Sequence, residues 1–311
     1  MKILKRNILV DCLKGYACLL VTFGHVIMRI RKTNLILVPD LFQFLEKFLW
    51  TYHVPLFMFL SGFIYNVKGG WKAQGNRKEF ILKKFINLGI PYFSFSIVYI
   101  ILNSMTKSVN NKSNFLDIFY LWEKPVAQYW FLYSLFFCFL YWTFFSKFMN
   151  SKCIFIFLSL GKYLLKNFNL GIIASGIGSS FSFGLGTIIS NIEFKLKKWI
   201  KILIVLIHII VVTISIKLDI KHIFGIKELQ QILGIFGSIM FISILIENMK
   251  IKEFLLKINK YSFAIYLLHT IFTSAIRIIL IKISLNEYYL HIILGSIFGI
   301  ICPRSSCCSV D

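Results

Sequence analysis

Long apolar runs, each followed by a short polar or basic connection, repeat along the whole chain. The first covers residues 8–28. The others cover residues 48–65, 85–102, 128–145, 153–167, 170–190, 199–216, 229–246, 261–281 and 288–302. About 20 apolar residues make a helix long enough to cross a bilayer, and runs that are apolar on all sides indicate helices rather than barrel strands. The pattern predicts an all-α polytopic membrane protein with about ten transmembrane helices. The run at 153–167, which Lys162 interrupts, is the weakest of them.

Four polar residues inside the first run fall on one side of the predicted helix. At about 100° per residue, Asp11, Lys14, Cys18 and His25 share a narrow sector. An ionisable side chain that points at lipid is costly, so the stripe should face protein or water and indicates a functional site. Lys14 and His25 are separated by three turns, or roughly 16 Å. A structural alternative is that Lys14 snorkels to the headgroups and His25 is a hydrogen-bonded packing residue.

Composition and charge support this class. The 311 residues are 58% hydrophobic and 15% charged, which excludes a soluble domain of this size. The net charge of +22 could indicate nucleic-acid binding, but the basic residues lie in short connections and form no continuous patch. The connections on the side of the N-terminus carry more Lys and Arg than those on the other side, which places both termini in the cytoplasm. We expect the cell membrane as the location and the lipid bilayer, not nucleic acid, as a partner.

The domain organisation follows from the same runs. A single transmembrane domain is predicted over 1–303 and a polar tail over 304–311. The first run is too long for a signal peptide, carries Asp11 and Lys14, and lacks a small-residue cleavage site, so it is predicted to be a retained span. The seven cysteines include no CxxC pair and are interpreted as free thiols. The oligomeric state is left open.

Three histidines inside the runs are candidates for chemistry, namely His25, His53 and His269. An imidazole can take a proton from a hydroxyl near neutral pH, which acyl transfer onto sugars requires. No carboxylate or cysteine stands at ligand spacing from them, so no metal site is predicted. His208 is isolated in an apolar run and is interpreted as a packing residue. Ser61, followed by a glycine, offers a hydroxyl and a close backbone approach, although such pairs usually serve helix packing.

Four motifs along the chain resemble those of one known family. They are DCLKGYA at 11–17 with His25 beyond it, YHVPLFMFLSG at 52–62, QYWFL at 128–132 and YSFAIYLLH at 261–269. Their residues and their order resemble the integral membrane acyltransferase-3 family, and the resemblance extends from about residue 8 to 303.

That resemblance implies a protein of about ten membrane helices that moves an acyl group. The group is most often acetyl, taken from cytosolic acetyl-CoA and placed on hydroxyls of cell-surface carbohydrates. The first motif of the family has an arginine, ten residues and a histidine. Here Lys14 replaces the arginine, while His25 matches. A second family motif, Arg-x-x-Arg before Pro-Tyr, falls on Lys84 and Asn87. Both changes replace a planar bidentate fork by a point charge or an amide.

The resulting hypothesis is a membrane O-acetyltransferase that acts on a surface polysaccharide or a lipid-linked saccharide. His25 is the catalytic candidate, and Lys14, Lys83 and Lys84 are the candidate ligands of the acetyl-CoA phosphates. The supporting residues of the predicted site are Asp11, His53, Ser61, Trp130, Tyr266 and His269. The alternative hypothesis is a transporter or flippase for a saccharide or a lipid-linked intermediate, which the polar residues and aromatic-rich spans would suit equally.

Overall fold

The computed structural model describes residues 7–33, 36–105, 114–164, 171–192 and 196–308. These residues are predominantly helical and contain no strand, which confirms the predicted all-α class. The chain forms two compact units. One consists of Met1–Phe57 together with Lys195–Asp311, and the other consists of Met58–Phe194.

The described residues form thirteen α-helices. In chain order they are α1 (Ile8–Arg31), α2 (Asp40–Trp50), α3 (His53–Val67), α4 (Arg77–Lys84), α5 (Ile90–Met105), α6 (Trp130–Phe145), α7 (Ser151–Leu164), α8 (Gly171–Ile189), α9 (Lys198–Lys217), α10 (Ile226–Leu245), α11 (Met249–Lys260), α12 (Ser262–Lys282) and α13 (Tyr288–Cys308). The first unit contains α1, α2 and α9 to α13, and the second contains α4 to α8. Helix α3 begins in the first unit and continues into the second.

Helix α1 is the centre of the first unit, where it packs against α2, α10, α11, α12 and α13. Its approach to α11 depends on Gly15, because a Cβ at this position would overlap the backbone carbonyl of Leu255. One turn further along α1, Cys18 is buried against Ile258 and Ile265. The polar stripe of the first run therefore faces protein in this part of its length, as predicted.

The second predicted run differs in detail from the structure. The helix starts earlier than predicted, at Asp40, where a carboxylate in the first turn is favourable near the helix N-terminus. It ends at Trp50, and α3 begins at His53. Pro55 explains the break, because its ring would clash with the carbonyl of Thr51 in a continuous helix. The hydroxyl of Thr51 instead donates to the carbonyl of Phe48 (2.7 Å) and closes the end of α2.

In the second unit, glycines let α3 and α8 approach closely. A Cβ at Gly62 would overlap the carbonyl of Phe183, and one at Gly186 would overlap that of Phe59. Small residues at helix interfaces allow this kind of close packing between membrane helices. Helix α4 joins α5 through a π-helical turn, Phe85–Gly89. This wide turn ends just before Pro91, which cannot donate the next helical hydrogen bond.

Six helical segments among the described residues are long and apolar enough to cross a membrane. They are Ile8–Arg31, Asp40–Val67, Arg77–Met105, Lys198–Lys217, Ile226–Leu245 and Ser262–Lys282. The runs at 128–145, 170–190 and 288–302 correspond to α6, α8 and α13. The run at 153–167 corresponds to α7, and its last residues lie outside the described part. The predicted number of ten spans stays a prediction, and α13 continues to Cys308, through residues assigned to the tail.

Candidate functional site

Three predicted site histidines, His25, His53 and His269, lie close together in the first unit. The ring centroids of His25 on α1 and His269 on α12 are 5.1 Å apart. Trp50 lies between His25 and His53, with centroid distances of 5.4 Å and 4.7 Å to them. The three imidazoles are all buried, being at most 8% exposed. Helices α1, α2, α3 and α12 thus bring together residues that are far apart in the sequence.

Backbone hydrogen bonds fix the neutral tautomer of two of these rings. The Nδ1 atom of His269 contacts the carbonyls of Ile265 (2.8 Å) and Tyr266 (2.9 Å), and Nδ1 of His53 contacts that of Leu49 (2.7 Å). A carbonyl only accepts hydrogen bonds, so Nδ1 is the donor in both rings. In the neutral form, Nε2 of each ring is then the atom with a lone pair that can accept a proton.

One ring nitrogen of His25 and one of His269 have no hydrogen-bond partner among the described residues. They are Nδ1 of His25 and Nε2 of His269, and both are shielded from solvent. A buried polar atom without a partner is destabilising, and in a native protein it requires an explanation. Hydroxyls of a ligand near the two rings could satisfy both atoms. In the described part of the chain, no group of three or more His, Cys, Asp or Glu residues has an arrangement that could hold a metal ion.

A cluster of Arg29, Ser274 and Arg277 continues the polar surface beyond the histidines. The guanidinium of Arg29 donates to the hydroxyl of Ser274. Arg277, which is buried, donates through Nη1 to the backbone carbonyl of Arg29 (2.9 Å). Arg29 is one turn beyond His25 on α1, and Arg277 is two turns beyond His269 on α12. These residues, and Trp50, were not among the predicted site residues, although spacing from the two histidines is a signal that could have found the arginines.

Asp11 and Lys14 lie toward the other end of α1. Lys14 Nζ is 3.9 Å from Asp11 Oδ1, and the two side chains are 32% and 17% exposed. Next to them is α11, whose Leu255 carbonyl packs on Gly15 and whose Lys252 carbonyl contacts the thiol of Cys12 (3.9 Å). This helix carries Lys250, Lys252, Lys257 and Lys260. The Lys14 end of α1 is therefore rich in positive charge.

The second unit contains the remaining predicted site residues, Ser61, Lys83, Lys84 and Trp130. Lys83 is exposed, while Lys84 is partly buried with its Nζ 3.9 Å from the ring centroid of Phe139, a cation–π contact. Ser61 and Trp130 are also partly buried. An apolar cavity of about 690 Å³ lies in this unit between α4, α6, α7 and α8, and none of the four residues lines it.

The predicted residues thus divide into three places. His25, His53, His269 and Tyr266, whose carbonyl contacts His269, form one cluster. Asp11 and Lys14 lie at the opposite end of α1 in the same unit. Lys83, Lys84, Ser61 and Trp130 belong to the second unit.

Helices that are long and apolar enough to cross a membrane bury several imidazoles in their interior, and ionisable residues in such helices usually mark functional sites. The comparison with family models identifies the class further. The chain belongs to the acyltransferase-3 family, whose model, described as an acyltransferase domain, matches residues 7–303. The protein is therefore a multi-pass membrane acyltransferase. Comparisons with curated proteins and with solved structures found no match.

Proposed function

We propose that this acyltransferase is an O-acetyltransferase. It moves acetyl from acetyl-CoA to a hydroxyl of a surface polysaccharide or a lipid-linked saccharide. The observation that carries the proposal is the buried pair of His25 and His269. Nδ1 of His25 and Nε2 of His269 have no hydrogen-bond partner in the described part of the chain. A hydroxyl that is to become a nucleophile needs a base of this kind within hydrogen-bond reach.

In the proposed reaction, His25 accepts the proton of the acceptor hydroxyl. The hydroxyl oxygen attacks the thioester carbonyl and forms the new C–O bond. The C–S bond breaks, and the CoA sulfur leaves with the proton that His25 returns. Nε2 of His269, which can accept a hydrogen bond, orients the acceptor through a second, neighbouring hydroxyl. In a second version of the chemistry, His25 first carries the acyl group itself.

The Lys14 end of α1 supports the binding of acetyl-CoA. Its phosphates are anionic, and Lys14 lies beside the basic helix α11. From Lys14 the pantetheine arm would follow α1 for roughly 16 Å to His25. Lys83 and Lys84 are further proposed ligands of the phosphates. With both termini in the cytoplasm, the donor would enter from the cytosol, and the acceptor would approach from the other face.

The test measures ester-linked acetyl on surface glycans, in cells with and without the gene, together with labelled acetyl-CoA supplied to membranes. We expect the acetyl ester and the incorporated label to disappear in the deletion strain and to return with the wild-type gene. A transporter or flippase would change the amount of exported saccharide without transferring label from acetyl-CoA. Equal acetyl content with and without the gene, on every surface glycan, would contradict the proposal.

A further inference from the structure

The cluster of Arg29, Ser274 and Arg277 lies beside the histidines but has no part in the proposed proton transfer. It lies at the end of α1 away from Lys14. Arg29 follows His25 by four residues, so both side chains are on the same face of α1, about 6 Å apart along its axis. Arg277 has the same relation to His269 on α12, at twice the distance.

The contacts of the two arginines give them different tasks. Arg277 is only 6% exposed and donates to the carbonyl of Arg29 (2.9 Å), which links α12 to the last turn of α1. The guanidinium of Arg29 contacts the hydroxyl of Ser274. Its Nε is shielded from solvent and has no hydrogen-bond partner within the described residues. Arg277 therefore positions Arg29, which has donor capacity left for a ligand.

The charge balance at this end of α1 also favours a negatively charged ligand. The carboxylate of Glu46 is buried at this end of α1, but Arg31 donates to both of its oxygens, at 2.8 and 2.9 Å. The partner of Arg29 that the structure shows is a neutral hydroxyl. A guanidinium inside a helical membrane protein is costly without a partner, and its planar fork matches the oxygens of carboxylates and phosphates.

We infer that the acceptor carries an oxyanion and that Arg29 recognises it. The oxyanion is the carboxylate of an acidic sugar or a phosphate of a lipid-linked saccharide. The separation of about 6 Å between Arg29 and His25 along α1 would place the charge about one sugar ring from the reacting hydroxyl. The identification of this ligand as the acceptor rests on the proposed function.

The test uses the purified full chain in detergent and two soluble pairs of probes. Methyl glucuronoside and methyl glucoside differ in a carboxylate, and isopentenyl diphosphate and isopentenol differ in a diphosphate. Dissociation constants from titration calorimetry are compared for the wild type, Arg29→Gln, Arg29→Lys and the control Lys32→Gln. Lys32 is an exposed cation near the same end of α1, so its variant changes the net charge equally.

We expect one charged probe to bind the wild type and Lys32→Gln about tenfold to hundredfold more tightly than its neutral counterpart. Arg29→Gln should remove this preference. Arg29→Lys, which keeps the charge but loses the fork, should bind the charged probe several-fold more weakly than the wild type. The preferred pair separates a carboxylate from a phosphate source.

Equal binding of charged and neutral probes by the wild type would overturn the inference, as would a preference that survives in Arg29→Gln. If that variant does not fold, unchanged affinity of Arg29→Lys for the charged probe has the same meaning. Acyl transfer is measured separately on the same wild-type preparation. If the preference depends on Arg29 but the protein shows no acyl transfer, the proposed function is contradicted and the oxyanion site still stands. If the protein transfers acyl groups but shows no such preference, the oxyanion site is contradicted and the proposed function still stands.

Discussion

Arg31, the last residue of α1, holds the carboxylate of Glu46 on α2 in a bidentate ion pair. The two contacts join Nε to Oε2 (2.8 Å) and Nη2 to Oε1 (2.9 Å). The Glu46 side chain is 6% exposed, while that of Arg31 is 47% exposed. Helix α2 ends at Trp50, whose ring contacts His25. The ion pair therefore fixes the helix that supplies one wall of the histidine cluster.

We expect Glu46→Gln to lower the free energy of unfolding by about 1.5–3 kcal/mol, because a buried charge-assisted pair is replaced by a weaker amide contact. The measurement is the apparent melting temperature of the purified protein in detergent. Glu247→Gln is the matched control, since Glu247 pairs with Lys198 at 3.2 Å on an exposed surface. It should change stability by no more than about 0.5 kcal/mol. Similar shifts in melting temperature for both variants would show that the buried Glu46 pair stabilises the protein no more than the exposed Glu247 pair does.

Replacement of His25 tests the candidate base. His25→Ala should lower acyl transfer by about 10²–10⁴-fold, the usual contribution of general acid–base catalysis, while the protein is still inserted in the membrane. The measurement is label transferred from acetyl-CoA per unit of membrane-inserted protein. His208→Ala is the control, because His208 packs against the rings of Phe48 and Tyr52 (5.2 and 4.9 Å). Undiminished transfer by His25→Ala would remove His25 from the mechanism.

Local properties of the sequence predicted most of the helices, because length and hydropathy decide where a chain can cross a bilayer. The early start of α2 was missed, since its Glu46 reads as a solvated charge until Arg31 is placed beside it. The break before His53 has a local cause in Pro55, and the sequence contained that signal.

The site was predictable to a smaller extent. Motif residues identified His25, His53 and His269, and the structure brings them together. Trp50 carried no motif signal, and the contact of Arg29 with Ser274 depends on how α12 packs on α1. Such a relation between distant segments cannot be obtained from helical periodicity, which describes one helix at a time.

Lys14 distinguishes donor binding from simple anchoring. If it binds a CoA phosphate, Lys14→Ala should raise the acetyl-CoA concentration needed for half-maximal transfer about tenfold to hundredfold. Lys14→Arg should keep or improve donor use, because the guanidinium restores a bidentate fork. Lys217→Ala, at the exposed end of α9, is the control for losing a cation at a span end. If Lys14 snorkels instead, all three variants should show the donor dependence of the wild type.

Gly62 and Gly178 form a matched pair for helix packing in the second unit. Gly62→Ala should destabilise the protein by about 1–3 kcal/mol, because the new methyl group meets the carbonyl of Phe183. Gly178→Ala has open space around its Cβ and should be neutral or stabilise by up to about 1 kcal/mol through helix propensity. Melting temperatures in detergent separate the two. Equal effects would mean that α3 and α8 do not depend on close backbone approach.

The orientation of the chain is tested by the side of the membrane on which Lys72 lies. The connection after α3 is strongly basic, so we expect it in the cytoplasm. Gly70 is a poor labelling position, because its φ of +59° disfavours a side chain and a Cβ would lie 2.8 Å from the ring of Tyr65. Lys72 is exposed and suits a cysteine, and Leu37, which is 90% exposed, lies in the preceding connection.

In a background in which the exposed Cys153, and also Cys302, Cys307 and Cys308, are replaced by serine, Lys72→Cys should resist an impermeant thiol reagent in intact cells. It should react after permeabilisation, which shows that the thiol itself is accessible. Leu37→Cys should react in intact cells, because one span separates the two connections. The opposite labelling pattern would place the basic connection outside the cell. The Lys14 end of α1 would then face away from cytosolic acetyl-CoA, and the proposed donor path would be wrong.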